Sequence, residues 1–197
     1  MGALTEPEHA ARGAPTLIVI GGPHGSGKTA IATRLSRDLG IPRLDPDVVQ
    51  RAIKSSEAFQ GDHTAAIRIG YAVVWALARD LLHSGQSAII DVNMGWELSW
   101  NVVDELIQEH PGSRLLPILL SCPEEVVTER IRQRHRADPA TYAPPELFEH
   151  ASRVRDFLDT LSRPDLHSID AARTLDEVYA AVRALVMPRI SASPRSG

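Results

Sequence analysis

The chain has 197 residues, a formal net charge of −4 and 43% apolar residues, which is ordinary for one globular domain able to bury a core. A single cysteine, Cys122, excludes an internal disulfide and any cysteine-based zinc site. No apolar run approaches the roughly eighteen residues of a membrane span, and the acidic balance argues against a protein that coats nucleic acid.

The opening stretch MGALTEPEHAARGAP is polar and holds no apolar signal core. Glu6 stands where a myristoylation signal needs Ser or Thr, so a cytoplasmic location is expected. Residues 1–14 and 188–197 (PRISASPRSG) read as disordered tails, which leaves 15–187 as one domain. Within it TLIVIGG reads as a buried first strand, because its apolar residues run on without alternation. KTAIATRLSRDLG is a helix stopped by Gly40. IPRLD is a short strand, and PDVVQRAIK is a helix with Pro46 in its first turn. HTAAIRIGYAVVWALARDLLHSG is a long helix, SAIIDV a strand, LSWNVVDELIQEH a helix and RLLPILLSC a strand that ends on a buried, structural Cys122. PEEVVTERIRQRHR and PPELFEHASRVRDFLDTL are helices, LHSID is the last strand, and TLDEVYAAVRALV is the closing helix. Such alternation predicts an α/β fold with a parallel sheet covered by helices on both faces.

Between the first strand and the first helix lies Gly22-Pro23-His24-Gly25-Ser26-Gly27-Lys28-Thr29, which fits G-x-x-x-x-G-K-[ST] without mismatch. Glycines let successive backbone N–H groups approach phosphate oxygens, and the helix that follows adds the positive end of its dipole. Lys28 is placed for the β- and γ-phosphates and Thr29 for Mg²⁺. The chain has only two lysines, Lys28 and Lys54, so Lys28 does not come from a lysine-rich background. The loop is expected to hold the phosphates of ATP with Mg²⁺.

Transfer of a phosphoryl group needs a metal, an acceptor and charge stabilisation, and gains from a carboxylate that takes the acceptor's proton. These groups belong at the carboxyl ends of the strands beside the loop. RLDPDVVQR offers Asp45 and Asp47 around a proline; each is a candidate for catalysis or substrate binding, and each could instead cap the helix. AIIDVNM offers Asp91, an acid closing an apolar strand and hence costly to bury without a cation or metal, and Asn93 for a hydrogen bond to substrate. In ERIRQRHR, Arg130 and Arg134 share one helical face, Arg132 and Arg136 another; the run reads either as a solvated face or, ahead of the Pro-rich ADPATYAPP, as a lid.

With the glycine loop, LDPD, IIDVN and ERIRQR in hand, the chain from about residue 16 to 186 resembles the small P-loop kinases of the AAA_33 type. That group includes the kinase domain of phage polynucleotide kinase, the zeta toxins, chloramphenicol phosphotransferase and gluconate kinase. The resemblance implies a P-loop NTPase fold with a five-stranded parallel sheet in the order 2-3-1-4-5. It implies Asp47 as the base that activates the acceptor hydroxyl, Asp91 at the metal, Asn93 at a matching asparagine, Arg130 stacked on adenine and Arg134 on phosphates within a short Arg-rich lid. The chain departs from polynucleotide kinases at Gln50, where that pattern has an arginine; Arg51 stands one residue later, rotated by about 100° on the helix. The acceptor is therefore expected to be a small molecule, a metabolite or antibiotic, rather than a nucleic acid end.

Tyr71, Trp75, Trp96 and Trp100 cluster in a chain with few aromatics. They are expected either as core packing or, with Arg51, as an acceptor pocket. Two other readings stand beside a small-molecule kinase: a 5′-hydroxyl polynucleotide or nucleotide kinase using a short basic groove, and a nucleotide-binding switch or ATPase module acting through a protein partner.

Overall fold

The apolar run at the start of the domain forms β1 (Thr16–Gly21), buried at every residue. In the computed structural model, which describes residues 13–59, 61–139 and 156–191, β1 is the middle strand of a five-stranded sheet. Its companions are β2 (Arg43–Leu44), β3 (Ala88–Asp91), β4 (Arg114–Ser121) and β5 (His167–Asp170). All pairings are parallel and the order is β2-β3-β1-β4-β5, as the resemblance implied. The helices are α1 (Lys28–Leu39), α2 (Pro46–Lys54), α3 (His63–His83), α4 (Glu97–Glu109), α5 (Glu124–Ala137) and α6 (Leu175–Ser191), with residues 156–160 also helical.

Successive side chains of a strand point to opposite faces, and β1 uses both. Ile18 and Ile20 pack with Ile31, Leu35, Val182 and Val186 of α1 and α6. Leu17 and Val19 pack with Val74, Ala78, Val103 and Leu106 of α3 and α4. Each such side chain, fully buried, contributes about 1.5–3 kcal/mol, so the two cores hold the sheet's middle strand rigidly. The outer strand β5 alternates between half-buried and exposed residues, as an edge strand should. The register places Asp91 beside Ile20 and Leu119 beside Gly21, so the carboxyl ends of β3, β1 and β4 come level where the glycine loop begins.

The expected closing tail is corrected at its start. Helix α6 runs on through Pro188 to Ser191, because its end is tied to the fold: Arg114 Nη1 donates to the Arg189 carbonyl at 2.7 Å, Arg189 Nη1 donates to the Leu185 carbonyl at 2.8 Å, and Ile190 packs on the core. The other tail residues, 1–12 and 192–197, lie outside the described residues, as does most of the helix expected at 144–161.

Helices α2 and α3 meet at Gly70. A Cβ there would lie 2.8 Å from Gln50 Cγ and 2.9 Å from the Pro46 carbonyl oxygen, so only glycine lets α3 approach the first turn of α2. Gly70→Ala should therefore lower stability by about 1–3 kcal/mol, as overpacking does, although alanine favours helices. Urea denaturation of the variant checks this, and an unchanged midpoint would show that the two helices part at no cost.

Candidate active site

Residues 22–27 turn the chain from β1 into α1. Gly22 has φ of +140°, and a Cβ on it would meet the Leu120 carbonyl at 2.6 Å; the loop thus lies directly on the end of β4. Gly27 caps α1 without a side-chain hydrogen bond, and the first turn holds no acid, so the helix end keeps its positive potential. Ser26 Oγ is buried and has no hydrogen-bond partner among the described residues. A buried hydroxyl without a partner in a glycine-rich loop that leads into a helix N-terminus suits a bound anion.

Lys28 lies over this loop, its Nζ donating to the Pro23 carbonyl at 2.9 Å. Its pKa is pushed down to about 8, chiefly by lost hydration and with a smaller push from Arg134, while Asp91, Asp47 and Asp45 act against the fall. Those four influences show what surrounds the ammonium: the three candidate acids and one arginine of α5. His24, next to it in the loop and open to solvent, is pushed down to about 4, by lost hydration first and then by Lys28.

The acids divide their labour. Asp45 is the N-cap of α2: its Oδ1 accepts from the Asp47 backbone N–H at 2.8 Å, and its Oδ2 pairs with Arg43 Nη1 at 2.9 Å. Each oxygen thus accepts a hydrogen bond from within the fold. Asp47, in the first turn of α2, is relieved of capping. Its Oδ1 accepts from Gln50 Nε2 at 3.3 Å and the residue is exposed. Even so its pKa is raised, by partial loss of hydration and then by the negative charge of Asp45, with Arg51, Lys28 and Lys54 opposing. Asp91 is buried, receives Arg43 Nη1 at 2.8 Å and hydrogen-bonds Thr29. Burial raises its pKa first; Lys28 lowers it next.

The oxygens of Thr29 and Asp91 are hard donors. Among the described residues no group of three or more His, Cys, Asp or Glu could hold a metal ion, so zinc- or calcium-type cages are not formed there. One carboxylate and one hydroxyl beside a phosphate cradle fit Mg²⁺, which keeps most of its ligands as water and phosphate.

On α5, Arg134 is exposed and close enough to depress Lys28. Arg130, one turn earlier, donates to the Ala171 carbonyl at 2.9 Å and the Arg173 carbonyl at 3.4 Å. Arg132 and Arg136 point to the other face, near Glu129. Val127 and Ile131 are buried, so α5 is a packed helix with one basic edge toward the loop. The Pro-rich stretch expected to continue the lid lies, from residue 140 on, outside the described residues.

The aromatics separate into two sets. Tyr71 faces the acids: lost hydration and then Asp47 push its pKa up to about 12, and a hydrogen bond from the Asn93 backbone acts the other way. Trp96 is 51% exposed at the start of α4. Trp75 and Trp100 belong to the core, where Trp100 Nε1 donates to the Met94 carbonyl at 3.0 Å; Trp75 is 7% exposed, so little of its ring is open to a ligand. Asn93 is likewise turned to its own loop, its Oδ1 accepting from the Gly95 N–H at 3.1 Å, so that oxygen shapes the backbone. Arg51 is exposed on α2, on the Asp47 side. Arg43 was missed. Its signal was a lone base in a short strand, two residues before Asp45 and so on the same side of the chain.

The sequence pattern of AAA_33, an AAA domain, matches residues 17–158. The chain belongs to the AAA_33 family. Comparison with curated proteins finds no match. Among solved structures, a candidate kinase from Chloroflexus aurantiacus is similar with 22% identity and a TM-score of 0.68 over 90% of this chain and 98% of that one. A Sinorhizobium meliloti gluconokinase has 22% identity and a TM-score of 0.57 over 90% and 95%. The Mycobacterium tuberculosis APS kinase in complex with AMPPNP and APS has 18% identity and a TM-score of 0.59 over 89% and 99%. At these identities the structures establish the shared fold. No described helix is long and apolar enough to cross a membrane.

Lys28 carries a consequence for stability. Unfolded, it titrates at 10.5; folded, near 8. Between those values the unfolded chain holds more protons, so stability rises with pH across that window, and below it the full penalty stands. At about 1.4 kcal/mol per pKa unit the penalty reaches at most about 3 kcal/mol. Lys28→Met should therefore stabilise the ligand-free protein near neutral pH, with the gain fading as pH rises through about 8 to 10.5. Chemical denaturation at several pH values measures it; a variant less stable at neutral pH would contradict the assignment.

Proposed function

We propose that the protein is an ATP-dependent phosphotransferase that moves the γ-phosphoryl group of Mg·ATP to a hydroxyl of a small molecule, with Asp47 as the base. The observation that carries the reading is the capping of α2 by Asp45. It leaves Asp47 with no necessary structural role, on the side of the loop where Lys28 stands, with a carboxylate whose raised pKa improves it as a proton acceptor. The kinases among the structural relatives, gluconokinase and APS kinase, support the same class.

When bound, Mg·ATP supplies the phosphoryl group and the metal that neutralises its oxygens. The chain's own residues then do the following. The backbone N–H groups of His24, Gly25, Gly27 and the start of α1 would hold the phosphates, with Ser26 Oγ as a further donor. Lys28 leaves the Pro23 carbonyl to meet the phosphate charge. Thr29 and Asp91 hold the metal and its water. Asp47 takes the acceptor's proton as its oxygen forms the new P–O bond and the bridging P–O bond breaks, and Arg134 balances the charge that develops. The acceptor enters on the β2–β3 side, past Tyr71 and Trp96. The nucleoside lies on the β4–β5 side near Arg130, where an open depression of about 440 Å³ is lined by Ser121, Cys122, Pro123, Asp159, Ser168 and Asp170.

A second reading is a kinase for an anionic acceptor, including a 5′-hydroxyl oligonucleotide end. It is favoured by Arg51 and Lys54, both near enough to Asp47 to lower its pKa. Screening hydroxylated metabolites, antibiotics and 5′-hydroxyl oligonucleotides for stimulated ATP consumption separates the two readings.

Once an acceptor is found, Asp47→Asn should slow single-turnover transfer by about 10²–10⁴-fold while ATP still binds, since asparagine keeps the shape but accepts no proton. A wild-type rate would remove Asp47 from the chemistry. Arg134→Ala should lower kcat, with thermal stability of the ligand-free protein unchanged within about 0.5 kcal/mol, because the side chain is exposed. A stability loss of several kcal/mol would make Arg134 a packing residue instead.

A further inference from the structure

Resting on the reading above, we propose that Arg43 is a positioning residue for the metal side of the site: one guanidinium nitrogen fixes Asp91 to Asp45, and so orients Asp91 for a divalent cation.

Strands β2 and β3 are in register at Leu44 and Ile90, so one step further on the chain sets Asp45 beside Asp91. Their side chains are 9% and 3% exposed. Two carboxylates so placed repel each other and have little water to screen them. Arg43 Nη1 answers both at once, at 2.9 Å from Asp45 Oδ2 and 2.8 Å from Asp91 Oδ2. Its side chain is itself only 20% exposed. Lys28 cannot do this work permanently, because its ammonium donates to the loop carbonyl of Pro23 and is the group that meets phosphate. Arg43 also keeps its charge in a buried site where a lysine loses it readily.

The bridge has two consequences. Asp91 Oδ2 is held by Arg43, so the carboxylate that would face a cation or its bound water cannot rotate freely. Through Asp45, whose Oδ1 accepts from the Asp47 N–H at 2.8 Å, the same guanidinium is also linked to the start of α2, two hydrogen bonds from the backbone of the proposed base. Arg43 touches neither substrate nor metal in this scheme; it acts through the residues that do.

The test is calorimetric titration of the full-length protein with ADP, once with Mg²⁺ and once with EDTA. For Arg43→Gln, the tightening that Mg²⁺ adds should shrink by about 10–100-fold, the usual effect of removing a support behind a metal ligand, while ADP affinity in EDTA stays within about twofold. Arg43→Lys, which keeps a cation, should fall between Arg43→Gln and the wild type, again only in Mg²⁺, and it carries the test alone should Arg43→Gln not fold. A variant that keeps the full Mg²⁺ tightening, or weakens ADP equally in both buffers, overturns the proposal. A wild type indifferent to Mg²⁺ overturns this proposal and the phosphotransferase reading together, whereas variants that respond to Mg²⁺ as fully as the wild type overturn only this one.

Discussion

A carboxylate at the end of β3, its side chain 3% exposed, sets the terms for the whole carboxyl edge of the sheet. Placing an ion there costs several kcal/mol even after the surroundings relax, and the neighbouring residues are arranged to offset that cost: Arg43 and Thr29 by hydrogen bonds, Lys28 by charge. The compensation is incomplete. Asp91 is pushed above its ordinary pKa and Lys28 below its own, so each member of the pair is held in a place that disfavours its charge. A ligand that offers a cation to the first and an anion to the second relieves both. A metal-bound phosphate would do so, in keeping with the proposed function.

The same economy explains why two acids flank Pro46. A helix start leaves backbone donors open, and a single Asp asked both to close them and to accept a proton would do each imperfectly. Asp45 closes the helix, is held by Arg43 and keeps both oxygens occupied. Asp47 is then carried on the first turn with a fixed backbone and a side chain restrained only by Gln50. Rigidity is put in the acid that does no chemistry, and freedom of the carboxylate in the acid proposed to do it.

Much of the fold was legible because its signals are local. The unbroken apolar run of β1 could only be a strand buried on both faces, the glycine loop named its own position between strand and helix, and the helix over Pro46–Lys54 was readable from its proline. What was not legible depended on residues distant in sequence. Arg43 reads as an ordinary base until β2 and β3 are aligned and Asp91, 48 residues away, arrives beside it. Trp75 and Tyr71 share a helix face in sequence, yet Trp75 is in the core while Tyr71 packs at its margin and reaches the acids, a distinction of one turn that periodicity cannot resolve. The end of α6 was misplaced because Pro, Ser and Arg read as a tail, whereas Arg114 on β4 holds the last turn from outside the helix.

Gln50 ties these threads to specificity. At the position where polynucleotide kinases carry an arginine, this chain has a side chain that is 8% exposed, bonded to Asp47 and pressed against Gly70. The close approach of α3 that makes this contact depends on a glycine. The basic groups near Asp47 are Arg51, about 100° round the helix from Gln50, and Lys54, one turn further along nearly the same face. Packing between two helices has thus removed one point of charge recognition from beside the proposed base and left a hydrogen-bonded amide in its place. In the proposed function the acceptor side would be formed by Tyr71, Trp96 and Asp47, with Arg51 and Lys54 close to the base.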